Sequence, residues 1–152
     1  MERIVLDTNV LIDGARDEHA ASARILQDVL DGVLVAAVSR PLRDEYAQLM
    51  HRAVSDPRYH DRIRQFLDVA ETVRVGRTPR VIAEDPEDDK VLATAVAAQA
   101  QALISSDRHL LARDPYEGIR IVTPQEFVNL RSEEDGGAWS DFAQSLGIGK
   151  ET

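Results

Sequence analysis

The stretch Arg3-Ile4-Val5-Leu6-Asp7-Thr8-Asn9-Val10-Leu11-Ile12 decides how the chain is read. Its first apolar run, Ile4 to Leu6, is continuous rather than alternating and holds two β-branched residues. That suits a short strand buried on both faces of a parallel sheet. In such sheets the ligand crevice lies outside the carboxyl ends of the strands. Asp7 falls where this strand would end, and Thr8 and Asn9 are good helix caps. Asp7 therefore has two readings, a cap for the next helix or an acid aimed into the crevice. The stretch alone does not separate them. Further acids delivered to the same end by later strands would.

The 152 residues suffice for one domain with a real core and are too few for two ordinary ones. Hydrophobic residues at 43% and charged residues at 30% describe a globular chain. No window approaches the roughly 18 apolar residues of a membrane span. The N-terminal apolar run breaks at Asp7, unlike a signal peptide. With no cysteine there is no disulfide framework and no thiolate metal site, so the expectation is a cytoplasmic protein with no membrane partner. The net charge of −9 argues against binding nucleic acid by bulk electrostatics. It leaves room for an enzyme whose metal ions neutralise phosphate locally. Among 18 basic residues only Lys90 and Lys150 are lysines. That bias fits phosphate or carboxylate recognition by arginine, and equally a G+C-rich genome.

Along the chain, apolar strands alternate with amphipathic helices. Helical spacing runs from Asp17 to Leu30 and stops at Asp31-Gly32. Val33–Val38 reads as a second buried strand, after which Ser39 caps a helix with the inward stripe Leu42, Tyr46, Leu49, Met50 and Ala53. Ser55-Asp56-Pro57 opens a helix to about Ala70, and Thr72–Val75 reads as a strand. A loop (Gly76–Ala83) and an acidic run lead into a helix from Pro86 to about Ala100. Strands at Ala102–Ser105 and Ile119–Val122 flank a short helix from Arg108, and Thr123-Pro124 starts a helix to about Leu130. This alternation implies a parallel sheet in a three-layer α/β sandwich. One domain is expected over residues 1–131. An acidic, partly flexible tail (132–152) follows, with Trp139, Phe142 and Leu146 at helical spacing.

Four carboxylates stand where these elements would converge. Asp7 and Asp107 each follow an apolar strand. Glu45 lies inside the apolar stripe of its helix, between Leu42 and Leu49, where a charge is costly unless paired or metal-bound. In the acidic run, Asp85 before Pro86 reads as an N-cap. Asp88 shares the buried face with Val91, Leu92 and Ala95, and Asp89 lies on a neighbouring stripe. Unpaired, such acids would repel one another and raise each other's pKa values. Hard cations with oxygen ligands relieve this, Mg²⁺ or Mn²⁺ being the natural candidates. Acid clusters with one or two such ions support phosphodiester hydrolysis. Ser105 is placed to donate to a neighbouring carboxylate or to hold a metal-bound water.

The constellation resembles the PIN domain, the nuclease family named for the PilT N-terminus, over roughly residues 3–130. The family's Asp-Thr-Asn opening stands here as Asp7-Thr8-Asn9-Val10-Leu11-Ile12, and its helix-borne glutamate matches Glu45. Its aspartate ahead of an alanine-rich apolar stretch matches Asp88 before Val91-Leu92-Ala93-Thr94-Ala95. Its Thr/Ser-x-Asp matches Ser105-Ser106-Asp107, with serine in place of the commoner threonine, followed by Leu110-Leu111. Arg120-Ile121-Val122-Thr123-Pro124-Gln125-Glu126-Phe127 is similar to the family's last strand and helix. The resemblance implies a five-stranded parallel sheet of order 3-2-1-4-5 and a metal-dependent ribonuclease. Small bacterial members of this kind are VapC-like toxins, usually homodimeric and inhibited by an antitoxin.

The reading that follows is an Mg²⁺- or Mn²⁺-dependent endoribonuclease, the toxin of a type II toxin–antitoxin pair. Asp7, Asp88 and Asp107 are the expected metal ligands, directly or through water. Glu45 completes the catalytic set, holding a second metal or orienting the water. Thr8, Asn9, Ser105 and Asp89 are expected to surround them. Arg52, Arg58, Arg62 and Arg64 offer an RNA contact, or a solvated helix face. The rivals are a catalytically silent PIN-fold module that binds RNA or protein, an RNA-maturation nuclease, and a phosphoryl-transfer or receiver domain. A receiver wants a lysine at a late strand end, whereas Lys90 lies on a helix. A dehalogenase-type phosphatase wants an aspartate where Asn9 stands.

Overall fold

The computed structural model describes residues 2–53, 55–76 and 86–135, and for residues 53, 86–89 and 133–135 the backbone alone. In chain order the elements are β1 (Arg3–Leu6), α1 (Thr8–Arg16), α2 (Ala21–Leu30), β2 (Val35–Val38), α3 (Arg40–Ala53) and α4 (Pro57–Val69). Then follow β3 (Glu71–Thr72), α5 (Pro86–Ala98), β4 (Ala102–Ile104), α6 (Arg108–Leu111), β5 (Arg120–Val122) and α7 (Pro124–Asp135). The strands form one parallel sheet of order β3-β2-β1-β4-β5, as expected from the sequence.

β1 sits at the centre of the sheet with Ile4, Val5 and Leu6 all buried. It is also where strand order reverses, β2 lying on one side and β4 on the other. In doubly wound sheets that reversal opens a crevice at the carboxyl ends. The register sets what lines it. Leu6 pairs with Ile104, so Asp7 and Ser105 are the first residues beyond the central pair, and the Asp7 amide still donates to the Ile104 carbonyl. α5 packs across β1, β2 and β4, while α2 packs on α1, α4 and α7. Gly14 permits the close approach of α1 to α2: a Cβ there would lie 2.8 Å from the Ser22 carbonyl oxygen of α2.

The elements differ from the sequence expectation in several places; the second strand, expected from Val33, begins at Val35, Val33 being exposed in the turn after α2. The helix expected from Asp17 begins at Ala21, because Asp17 ends α1 and its carboxylate accepts the His19 amide in a tight turn. The strand expected at Thr72–Val75 is Glu71–Thr72: β2 stops at Val38, and after the Val73 amide reaches the Val38 carbonyl nothing remains to pair. α7 runs past Leu130 to Asp135. Arg131 ties its last turns down, with Nη1 3.5 Å from Glu2, Nε 4.0 Å from Asp28 and its guanidinium over the Phe127 ring. The Asp85 cap, most of the Gly76–Ala83 loop and the segment bearing Trp139, Phe142 and Leu146 lie outside the described residues.

Candidate active site

Asp7 caps the helix that follows it and also bonds across the sheet. Its Oδ1 accepts the Thr8 amide at 2.8 Å, capping α1, and its Oδ2 accepts the Ser105 hydroxyl at 2.8 Å. With the residue 8% exposed, the carboxylate is held from the start of α1 and from the residue after β4 at once. Ser105 in turn accepts the Asp107 amide on Oγ at 2.9 Å, while Asp107 turns Oδ1 to the His109 amide at 2.7 Å and caps α6. One hydroxyl thus links the two aspartate-bearing loops.

Thr8 makes the second link. Its amide serves Asp7 while its hydroxyl donates to Glu45 Oε2. Glu45 comes from α3, which starts where β2 ends: the Leu42 amide donates to Ser39 Oγ at 3.3 Å, Ser39 being the first residue after the strand. Beside Glu45, the Lys90 ammonium of α5 stands 3.8 Å from Oε1. An opening of about 400 Å³ is lined by Arg40, Pro41, Asp44, Glu45, Gln48 and Lys90.

Tyr46, the next residue along α3, is fully buried and donates to the Leu6 carbonyl at 2.5 Å. Burial pushes its hydroxyl well above the ordinary phenol value, and the charges of Asp7 and then Glu45 push the same way. The phenol therefore stays neutral and registers the negative field of the two acids. That field, in a donor set made only of carboxylate and hydroxyl oxygens, is the environment a hard divalent cation requires.

The structure thus brings Asp7, Thr8, Glu45, Ser105 and Asp107 into one hydrogen-bonded group. Asn9 is exposed in the first turn of α1 and does not join it. Among the described residues, no three acidic or imidazole side chains enclose a metal position. The backbone of α5 carries Asp88 and Asp89 in its first turn, and their side chains lie outside the described set. Of the four arginines, Arg58 and Arg62 line a separate cleft of about 450 Å³ with Arg16, His19 and Tyr59. Arg52 and Arg64 are exposed, and Arg64 is paired with Asp61 at 2.8 Å. Sequence reasoning missed two contributors. Tyr46 looked like one more residue of the apolar stripe, although its position directly after Glu45 was a signal. Lys90 is one of only two lysines and lies two residues after Asp88, yet nothing local shows that it meets α3.

A parallel α/β sheet that gathers acids at the carboxyl ends of its central strands defines the class. The family model described as PIN domain matches residues 3–109, and the chain belongs to the PIN-domain family, whose members are in general nucleases. Among solved structures, VapBC2 from Rickettsia felis, bound to a DNA fragment from its promoter, matches with a TM-score of 0.57 at 14% identity. That match covers 78% of this chain and 96% of the other. PAE2754 from Pyrobaculum aerophilum matches with a TM-score of 0.58 at 16% identity, covering 86% and 90%. At these identities the likeness is one of fold. No curated protein matches the chain. Among the described residues, no helix is long and apolar enough to cross a membrane.

Proposed function

We propose that this PIN-domain protein is a metal-dependent endoribonuclease and the toxin of a type II toxin–antitoxin pair. The carrying observation is the bonded group Asp7–Ser105–Asp107 and Asp7–Thr8–Glu45 at the carboxyl ends of the central strands. Asp7, Asp88 and Asp107 would hold Mg²⁺ or Mn²⁺, with Glu45 completing the set. When bound, such an ion lowers the pKa of an attacking water and stabilises charge on the leaving oxygen. The chain's own contribution is orientation. Ser105 and the Thr8 amide fix both oxygens of Asp7, and the Thr8 hydroxyl holds Glu45 to the same loop. Tyr46, neutral at working pH, closes the apolar floor beneath Asp7 without adding charge.

The fold shared with VapBC2, a pair that binds promoter DNA, supports an antitoxin partner for this chain. A cytoplasmic homodimer is the matching assembly. In this reading Arg58 and Arg62 would meet RNA backbone or that partner, a role supported by their sharing one cleft.

The test is cleavage of single-stranded RNA by the purified chain with Mn²⁺, with and without chelator. The wild type should cut only with the metal, and Asp7→Asn should be inactive while melting as a folded protein. Full activity in that variant, with host nuclease removed, overturns the assignment.

A further inference from the structure

We propose that Lys90 occupies the cation position beside Glu45, so that the site takes one divalent ion rather than two. The proposal rests on the metal-nuclease reading above and asks what Glu45 does within it. Glu45 Oε2 accepts the Thr8 hydroxyl, while the buried Oε1 has the Lys90 ammonium 3.8 Å away, an ion pair beyond hydrogen-bond distance. The Glu45 side chain is only 12% exposed and that of Lys90 38%. This is therefore not the fully solvated kind of pair that contributes little. A divalent ion approaching Oε1 would meet an ammonium at contact range, and the like charges repel.

The lysine is also built in. The Thr94 hydroxyl donates to the Lys90 carbonyl at 2.8 Å and pairs with Ser39 Oγ at 2.7 Å. Thr94 and Ser39 are both buried, and Ser39 receives the Leu42 amide at the start of α3. A closed chain of hydroxyls thus fastens the Lys90 turn of α5 to the helix that carries Glu45. In this arrangement Glu45 is a positioning residue. With the Lys90 charge beside one oxygen, it accepts the Thr8 hydroxyl with the other, and the Thr8 amide fixes Asp7. The metal is left to Asp7, Asp88 and Asp107.

The experiment is Mn²⁺ titration of the full metal-free chain by calorimetry, with free Mn²⁺ counted by paramagnetic resonance. The wild type and Lys90→Arg should bind one ion per chain. Lys90→Gln should bind a second, weaker one, and adding Glu45→Gln to that variant should abolish the second site. Should Lys90→Gln fail to fold, Glu45→Gln alone decides. The glutamine amide oxygen can still accept the Thr8 hydroxyl, so Mn²⁺ affinity should stay within about threefold of wild type, short of the roughly ten- to hundredfold loss that follows when the support of a metal ligand is broken. Two ions on the wild type, one ion on folded Lys90→Gln, or a Glu45→Gln loss of the larger size overturns the proposal alone. No Mn²⁺ on the wild type overturns the metal reading with it.

Discussion

Asp7 and Ser105, 98 residues apart in sequence, are joined by a 2.8 Å hydrogen bond one step beyond the register pair Leu6–Ile104. The bond converts sheet register into site geometry. A one-residue slip of β4 against β1 would move Ser105 to the other face and release the carboxylate.

Removing the Ser105 hydroxyl should therefore cost both stability and metal binding. Ser105→Ala leaves the buried Asp7 oxygen without this donor, an effect of about 1–3 kcal/mol for a hydrogen bond to a charged group. The Asp107 amide loses an acceptor in the same step. Mn²⁺ affinity should drop about tenfold, the lower end of the range for partners that orient metal ligands. Ser105→Thr keeps the hydroxyl and should restore both. Chemical denaturation and Mn²⁺ titration of the two variants check this, and equal behaviour of alanine and threonine at 105 would refute it.

Gly14 makes a separate prediction about the scaffold. A methyl group there would sit 2.8 Å from a backbone oxygen of α2, and backbone cannot rotate aside as a side chain can. Gly14→Ala should force α1 from α2 and destabilise the fold by about 1–3 kcal/mol, the usual cost of overpacking. On an exposed helix face the same change would instead stabilise by about 1 kcal/mol. The sign of the change in thermal midpoint therefore decides.

What the sequence disclosed and what it withheld divide on physical grounds. Asp7, Glu45 and Asp107 stood out because each acid interrupts or ends an apolar pattern, and periodicity makes such breaks visible. Strand order and the parallel sheet followed from alternation together with the family resemblance. The bridges did not show. Ser39 meets Thr94 across 55 residues, and Lys90 meets Glu45 across two helices, so both depend on packing that no local window encodes. Asn9, one residue past Thr8, projects away because helical rotation turns the next side chain by about 100°. Arg58 and Arg64 pair locally with Asp56 and Asp61 at 2.7 Å and 2.8 Å, contacts that no pattern in the sequence marked.

Tyr46 gives the last prediction, and its sign can be worked out. Burial first, then the charges of Asp7 and Glu45, hold its hydroxyl well above the ordinary value of 10.0. The folded protein therefore keeps this proton where the unfolded chain releases it. By linkage, the stability the group contributes is complete below about pH 10 and falls as pH rises beyond it. Tyrosinate absorbance followed against pH should show a late component that appears only as the fold opens, and Tyr46→Phe should remove it. The same substitution leaves the Leu6 carbonyl without the phenol donor, a cost of about 1 kcal/mol at neutral pH. In Asp7→Asn one of the two charges is gone, so the late step should move to lower pH. A Tyr46 component that rises near the ordinary phenol value of 10.0, before any unfolding, would show that the hydroxyl does not sit in the field of the two acids.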